Sequence, residues 1–282
     1  MLALKQALSL SSSNRGGGAE TDFVFSVDTT IEGSSGTGKF AVPISGTSGS
    51  YDIDWGDGNS DTGQTGTITH TYSSSAVYTI KISGSLTRFT FGNGGDKLKL
   101  NNISNWGVFV GDLSAAFYGC SNMTSNATDS PTIGVASSFV NMFRNCSLFN
   151  GDISSWDVSE VTNFQACFFN CSVFNQDLGS WDVSNATSVK QMFQGATVFN
   201  QDIGSWDVSS CTNFANFLLS ATNLTFSSSN LDAIYNGWST RTLSASESIS
   251  FGSAKYSSAA SAGRAVLTSA PNNWTITDGG LI

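Results

Sequence analysis

Histidine, proline and charge are all scarce in this sequence. His70 is the single histidine among 282 residues, so a catalytic triad, a histidine metal site or a histidine general base would have to use that position. Lys and Arg number 12 against 21 Asp and Glu, and the net charge of −9 argues against nucleic acid and anionic lipid as main partners. No apolar run approaches the roughly 18 residues of a membrane-spanning helix, so we predict no membrane insertion.

Glycine and aromatic residues are abundant by contrast. Three prolines stand against 29 glycines, which together with many Ser, Thr and Asn residues indicates β-structure with tight turns. The 20 Phe and 7 Trp residues supply enough apolar surface for a folded core. A chain of this length has room for two or three small domains.

The first 20 residues bear on location. Lys5 and Gln6 interrupt the apolar stretch near the start, so we predict no secretory signal peptide. Two interpretations of this Ser- and Gly-rich segment stay open: a loose leader, or an anchoring arm that a neighbouring subunit holds. The leucines of that arm are Leu2, Leu4, Leu8 and Leu10.

Residues 21–94 show the period-2 alternation of half-buried strands. The alternating segments are 23–27, 40–44, 51–55, 78–82 and 86–91. Gly56 and Gly58 supply turn chemistry between two of them. Five or six short strands in this length predict a small β-sandwich.

Three segments of this region carry a family resemblance. They are Trp55–Gly58, His70–Tyr72 and Tyr78–Ile82. Together they resemble the polycystic-kidney-disease-type (PKD-like) Ig-like domain, which serves as a spacer or a binding module. The resemblance implies that His70 and Tyr72 support the turn after Trp55. It leaves calcium binding by Asp57 and Asp61 open.

A motif in residues 95–222 recurs with a period of 25 residues. Its clearest copies begin at Phe149, Phe174 and Phe199, and weaker copies bring the number to about five. Within one copy, Ile153, Trp156 and Val158 have the spacing of a leucine-rich repeat. We expect Trp156 and Val158 to point inward from a short strand and residues 161–168 to return as a helical turn. Stacked coils of this kind would form a leucine-rich-repeat-type solenoid with aromatic columns inside.

The repeat unit Phe-Asn-x-Asp-Ile/Leu-x-Ser-Trp-Asp-Val-Ser closely resembles the BspA-like leucine-rich repeats of microbial surface proteins. The resemblance is specific over residues 142–217 and weaker back to about residue 98. It implies adhesion or display on a surface and no catalysis. BspA-like proteins are normally exported, so the lack of a predicted signal peptide departs from the family.

Alternate residues of the predicted repeat strands face solvent and form an acidic strip. The strip consists of Asp157, Ser159, Asp182, Ser184, Asp207 and Ser209. Carboxylates in strands about 4.8 Å apart repel one another, so the repeated aspartate needs an explanation. One explanation is hydrogen bonding of each aspartate to turn amides or serine hydroxyls. The other is a strip that recruits Ca²⁺, a basic partner or sugar hydroxyls, and Ca²⁺ is the one cofactor left open.

A second column, Asp152, Asp177 and Asp202, is predicted to cap turns. Paired carboxylates also occur in glycosidases, which need two carboxyl groups in different environments. Because a repeat gives its aspartates equivalent environments, we predict no catalytic residues and no enzyme. A glycan-active enzyme is a remote alternative.

The five cysteines follow the repeat as well. Cys120, Cys146 and Cys171 share one column, which Ala196 continues, and this pattern indicates buried thiols. There is no zinc-type Cys-x-x-Cys pair. A Cys146–Cys171 disulfide stays open beside free thiols, and free thiols would fit assembly in a reducing cytoplasm.

Residues 223–282 depart from the repeat and are predicted to cap it. Residues 230–238 and 257–269 have helical patterns, and residues 248–251 and 273–277 have strand patterns. The segment resembles terminal segments of marine-phage and environmental bacterial repeat proteins. The predicted fold class is therefore β-rich with short helices: an Ig/PKD-like sandwich (21–94), a solenoid (95–222) and an α/β cap (223–282).

These features together predict structural display on a bacteriophage virion, as a capsid decoration or a tail appendage. The missing signal peptide motivates this hypothesis, since virion parts assemble in the host cytoplasm. The arm would contact other virion proteins, the repeats would bind a host-surface protein or glycan, and a homo-oligomer stays open. The alternative is a bacterial cell-surface adhesin that is exported by another route.

Overall fold

The computed structural model describes residues 22–45, 49–107, 113–133, 137–219 and 226–282. Its strands are β1 (Phe23–Asp28), β2 (Lys39–Ala41), β3 (Tyr51–Asp54), β4 (Ser60–Gln64), β5 (Thr69–Thr71), β6 (Val77–Gly84), β7 (Leu100–Asn105), β8 (Thr124–Ser125), β9 (Ser137–Ser138), β10 (Val161–Asn163), β11 (Ser248–Ser250) and β12 (Thr275–Thr277). Its helices are α1 (Ser228–Trp238) and α2 (Ser261–Thr268), with 3₁₀ turns at Lys97–Lys99 and Ser258–Ala260. The anchoring arm predicted for residues 1–20 lies outside the described residues.

The main sheet is mixed and contains six strands in the order β4-β3-β6-β1-β7-β8. Strand β1 pairs antiparallel with β6 on one edge and with β7 on the other, and β7 pairs parallel with β8. Phe23, Phe25 and Val27 of β1 are all buried, because alternate side chains of a strand lie on one face. Strands β2 and β5 form a separate antiparallel pair.

The predicted fold class is wrong. The described part of the chain is β-rich with few, short helices, and its main sheet is this single mixed sheet of six strands. A PKD-like sandwich followed by a separate leucine-rich-repeat solenoid would not hydrogen-bond β7, from the region assigned to the repeats, to β1. The predicted domain boundaries are not otherwise tested and stay a prediction.

Secondary structure within a repeat also differs from the expectation. Trp156 and Val158 lie in irregular backbone, and the named strands between residues 95 and 222 form only two short parallel pairs, β7 with β8 and β9 with β10, in the described part of the chain. The helical turn predicted over residues 161–168 is absent. Ala166 has φ of +53°, which a right-handed helix does not allow.

Consecutive repeats are joined directly by backbone hydrogen bonds. The Phe143 N–H donates to the carbonyl of Cys167 at 3.0 Å, and the Phe168 N–H donates to the carbonyl of Met192 at 2.9 Å. The same connection recurs one repeat later, from Phe193 to Phe217 at 2.9 Å. These bonds hold equivalent residues of neighbouring coils in register.

Aromatic side chains fill the interior in matching columns. The ring centroids of Phe143 and Phe168 are 5.7 Å apart, and those of Phe168 and Phe193 are 5.6 Å apart, with nearly parallel planes. A second phenylalanine column begins at Phe149 and continues through Phe174 at 6.0 Å. All of these rings are buried, so the coils share one continuous apolar core.

Tryptophan indoles tie each coil to the one before it. The Trp181 Nε1–H donates to the carbonyl of Ile153 at 3.0 Å, and the Trp206 Nε1–H donates to the carbonyl of Leu178 at 2.9 Å. Trp238 of α1 makes the equivalent bond to the carbonyl of Ile203 at 3.1 Å. Helix α1 thus supplies the tryptophan that the next repeat would have supplied, and it closes this end of the core.

The C-terminal segment packs tightly on the last described coil. A Cβ on Gly237 of α1 would overlap the carbonyl of Gly204, so only glycine permits this approach. Tyr235 donates to Asp278 at 2.6 Å, and Arg264 of α2 donates to the same carboxylate at 2.7 Å. The helices and strands of this segment lie where the sequence patterns place them.

A buried ion pair fastens the loop before β2 to the turn before β7. Lys99 and Asp96 are almost completely buried, and the Lys99 ammonium donates to the carbonyls of Gly36 and Lys39, both at 2.6 Å. Asp96 accepts hydrogen bonds from Ser35 and from the Ala41 N–H. Both charges are therefore fully surrounded by partners, as burial requires.

The first prediction concerns the phenylalanine column. Phe168→Ala should lower the free energy of unfolding by about 3–5 kcal/mol, because it removes a buried ring that stacks on both sides. Chemical denaturation of the purified chain measures this change. Phe169→Ala is the matched control, since Phe169 is only half-buried, and equal losses in the two variants would contradict a continuous core.

The second prediction concerns the buried ion pair. Lys99→Met should destabilise the chain by about 3–5 kcal/mol, because it leaves the Asp96 carboxylate buried without its cation. Lys97→Met, two residues away on a partly exposed lysine, should cost much less. A melting temperature that is the same for both variants would show that the buried pair contributes nothing.

Candidate interaction surfaces of the repeats

The aspartates of the acidic strip are engaged in local turns. In the first copy, Asp157 Oδ1 accepts from the Ser159 N–H at 3.1 Å and from the Ser159 hydroxyl at 2.6 Å. Asp182 and Asp207 accept in the same way from the N–H groups two residues later, at 3.0 and 3.1 Å. The turn-capping explanation of the repeated aspartate is confirmed, and each carboxylate keeps a second oxygen for other donors.

The second aspartate column also caps turns, as predicted. Asp152 Oδ1 accepts from the N–H and the hydroxyl of Ser154, at 3.0 and 2.7 Å. Asp177 and Asp202 accept from the N–H groups of Gly179 and Gly204, at 2.8 and 2.9 Å. Serine is replaced by glycine in these two copies, and the backbone bond remains.

Hydrogen bonds from serine lower the pKa of three of these aspartates, Asp152, Asp157 and Asp207. For Asp157 the Ser159 hydroxyl is the main cause and the Ser159 N–H adds to it. For Asp152 the two groups of Ser154 act in the same order. These carboxylates are therefore ionised at neutral pH and in mild acid.

An array that the sequence reasoning did not identify lies on the segment before each tryptophan. In the first copy, exposed and buried residues alternate strictly from Leu148 to Ile153, so residues 148, 150 and 152 are all exposed to solvent. The same positions of three coils form three columns, which we call the apolar–amide–acid grid. The columns are Leu148, Val173 and Val198 (apolar), Asn150, Asn175 and Asn200 (amide), and Asp152, Asp177 and Asp202 (acid).

The amide column is a hydrogen-bonded ladder. Asn150 Oδ1 accepts from the Asn175 N–H at 2.9 Å, and Asn175 Oδ1 accepts from the Asn200 N–H at 2.8 Å. At its end, Asn200 Oδ1 accepts from the N–H of Ser227, the N-cap of α1. The recurrence of Asn in the motif was the available signal, but asparagine is also typical of turns, and so its ladder role was missed.

The N-terminal region holds its histidine in a structural role. The His70 ring stacks on Trp55 with centroids 4.8 Å apart, and His70 Nε2 lies 2.8 Å from Asp57 Oδ2. The Tyr72 hydroxyl donates to the Trp55 carbonyl at 3.2 Å. The expectation that His70 and Tyr72 support the turn after Trp55 is confirmed. Asp61 accepts from the Trp55 indole at 2.8 Å.

All five cysteines are buried and free. The Cys146 thiol donates to the carbonyl of Phe117 at 3.0 Å, and the Cys171 thiol donates to the carbonyl of Phe143 at 2.9 Å. Burial raises the pKa of both thiols, and it raises that of Cys211 to about 11. The thiols are thus protonated core residues with little nucleophilic character.

Among the described residues, no group of three or more His, Cys, Asp or Glu side chains is placed to hold a metal ion. In the same part of the chain, no helix combines the length and the apolar character that a membrane span requires.

Comparison with known proteins gives a match to a protein family. The family described as "Mycoplasma protein of unknown function, DUF285" matches residues 111–233, which is less than half of the chain. The matched span begins after β7 and ends within α1, so it coincides with the stacked repeats. No curated protein and no solved structure matches the chain. The repeat region is therefore similar to a family whose function is itself unknown.

The third prediction concerns acid. Folding lowers the pKa of these carboxylates below their ordinary value of 3.8, so their ionised forms stabilise the native state at any pH above 3.8. This stabilisation is lost as the pH falls from 3.8 through the lowered pKa of the folded state. The wild-type chain should therefore lose stability below pH 3.8. The double variant Asp152→Asn/Asp157→Asn should lose less over that interval, because its amides keep accepting from serine and do not titrate. Urea denaturation at several pH values measures both slopes, and identical slopes would contradict the assignment.

Proposed function

We propose that the chain is a non-enzymatic display protein whose stacked repeats present columns of identical side chains for adhesion. The observation that carries the proposal is repetition: the acidic strip and the grid each place the same groups at the same point of three consecutive coils. An array of this kind binds a repetitive or multivalent partner well, because each coil adds one weak contact at high effective concentration.

The state of the reactive side chains supports a role without catalysis. His70 is stacked and hydrogen-bonded in a turn, and the cysteines are buried with raised pKa values. The repeated aspartates have matching turn partners, so no pair of them has the contrasting environments that acid–base catalysis uses. Turnover of a glycan by the purified chain would overturn this part of the proposal.

The first setting that we propose is the surface of a bacteriophage virion. The BspA-like and PKD-like resemblances support surface display, and the resemblance of residues 223–282 to terminal segments of marine-phage and environmental bacterial repeat proteins is compatible with a virion. In this setting the N-terminal arm contacts other virion proteins, and the repeats bind a host-surface protein or glycan.

The second setting is the surface of a bacterial cell, with the chain as an adhesin. The match to a family described from Mycoplasma, a bacterial genus, favours it. The same side-chain columns would serve either setting, so the two differ in where the chain is anchored.

Calcium enters the proposal only as a bridging ion at the acidic strip. The second carboxylate oxygens of Asp157, Asp182 and Asp207 are available there, and Ca²⁺ prefers oxygen ligands. Binding of the chain to its partner would then depend on Ca²⁺ and weaken in a chelator.

The fourth prediction tests adhesion at the acidic strip. The fluorescently labelled full chain should bind target bacterial cells saturably, and the triple variant Asp157→Asn/Asp182→Asn/Asp207→Asn should bind about tenfold more weakly if the strip makes the contact. The matched control is Asp28→Asn/Asp52→Asn/Asp54→Asn, which makes the same change in charge at aspartates that also accept from backbone N–H groups. Unchanged binding by the strip variant would make the strip purely structural, and no binding by any form would contradict adhesion.

The setting is tested by immunogold imaging of the culture that produces the chain. Gold on virus particles supports the virion, and gold on cell surfaces supports the adhesin. Deletion of residues 1–20 should abolish incorporation into particles while the isolated protein keeps its melting temperature. Normal incorporation of the truncated chain would contradict the anchoring role of the arm.

A further inference from the structure

The apolar–amide–acid grid differs from the acidic strip because it combines three kinds of contact on one extended face. We propose that the grid binds a neutral, extended polysaccharide that runs along the stack with about one sugar ring per coil. This inference rests on the proposed role in adhesion and names the ligand class and the surface. It is independent of whether the chain sits on a virion or on a cell.

The amide column is oriented before any ligand arrives. Each Asn Oδ1 is fixed by an N–H of the following segment, at 2.9 Å for Asn150 and 2.8 Å for Asn175 and Asn200. Because the oxygen is held, the Nδ2 group of each amide is left as a donor, at Asn150 and Asn175 in exposed side chains and at Asn200 in a half-buried one. A fixed row of donors loses little conformational entropy on binding, which favours hydroxyl-rich ligands.

The apolar column supplies contact area beside those donors. Leu148, Val173 and Val198 are 50%, 41% and 39% exposed, which is unusual for large apolar side chains that recur in register. A pyranose ring has an apolar face of C–H groups and an edge of hydroxyls. An apolar column next to a donor column therefore complements both parts of one ring.

The carboxylates of the acid column restrict the charge that a ligand of the grid can carry. Each of its carboxylates uses Oδ1 in a turn, at 2.8 to 3.0 Å, and presents its other oxygen as an acceptor. Hydroxyl groups can donate to these oxygens, whereas uronate or sulfate groups would be repelled by three carboxylates and by a chain of net charge −9. Repulsion thus excludes a polyanionic ligand, and the hydroxyl donors of a neutral polysaccharide match the free carboxylate oxygens.

The spacing of the grid favours a polymer over a single sugar. The phenylalanines directly beneath the grid, Phe149, Phe174 and Phe199, stack at 6.0 and 6.2 Å, which sets the distance between rows. Successive rings of an extended hexose chain are separated by a length of similar size. In the preceding coil, buried Met123 takes the place of Phe149, and Asn122 and Thr124 flank it. Because Asn122 stands where Leu148 stands in the next coil, the apolar column does not continue in that direction.

The test uses the full chain and affinity electrophoresis through gels that contain a soluble neutral β-glucan, a soluble chitin derivative without charge, or alginate as the polyanion. We expect retardation by at least one neutral polymer and none by alginate. The grid variant is Leu148→Asn/Val173→Thr/Val198→Thr, which removes the apolar column at exposed positions. We expect its dissociation constant to rise about tenfold or more, since three apolar contacts are lost together.

Two matched variants separate the grid from general effects. Val77→Thr/Val266→Thr removes exposed apolar side chains outside the grid and should leave retardation unchanged. Asn175→Asp keeps the acceptor of the ladder but removes the outward donor, and it should weaken binding without lowering the melting temperature by more than a few degrees. Melting curves of all variants identify any loss that comes from misfolding.

Three results would overturn the inference. The first is retardation by no neutral polymer, or by alginate instead. The second is retardation that the grid variants do not change. If the strip variant abolished that retardation, adhesion would stand as the function, and its site would be the acidic strip. The third is a concentration-dependent dimer, seen by sedimentation, that the grid variant abolishes, because the grid would then be an interface between two copies. Cell binding without polysaccharide binding would likewise contradict the inference and keep the proposed function.

Discussion

Direct backbone hydrogen bonding between consecutive repeats is the constraint on which the rest of the structure depends. Because the Phe143 and Phe168 N–H groups donate into the following coil, each repeat is held at a fixed offset from the next. That offset turns a period of 25 residues into columns, and the acidic strip and the apolar–amide–acid grid are sets of such columns.

Side-chain ladders then make the register specific. The indoles of Trp181 and Trp206 bond to carbonyls of the preceding coil, and Asn150 and Asn175 bond to N–H groups of the following coil. The pattern ends at Trp156, whose indole N–H is buried without a partner among the described residues. An unpaired buried donor costs about 1–3 kcal/mol of stability. This cost is located at the boundary between the regular repeats and the less regular coil before them.

The sequence predicted the period, the buried residues and the turn-capping aspartates, but not the backbone inside a repeat. Apolar spacing reports which side chains face inward, and Ile153, Trp156 and Val158 are buried as expected. It does not report backbone angles, and a positive φ at Ala166 is unfavourable for alanine in isolation, so only the bonds between coils hold it. The pairing of β7 with β1 was missed for a similar reason, because strand pairing across a long sequence distance leaves no local signal. The grid was missed because Asn and Asp are common in turns, and only coordinates reveal which face they share.

The two acidic columns show why position rather than residue type decides what a repeated aspartate does. Asp152 and Asp157 have the same turn bonds to a serine two residues later, and the same cause lowers the pKa of both. Their neighbours differ: Asp157 is flanked by serines of tight turns, whereas Asp152 ends a segment of alternating burial that also exposes Leu148 and Asn150. A carboxylate among serines offers charge alone, which any cation satisfies and salt screens. A carboxylate beside an oriented amide and an apolar side chain offers shape as well, and specificity for a hydroxyl-rich chain requires that combination.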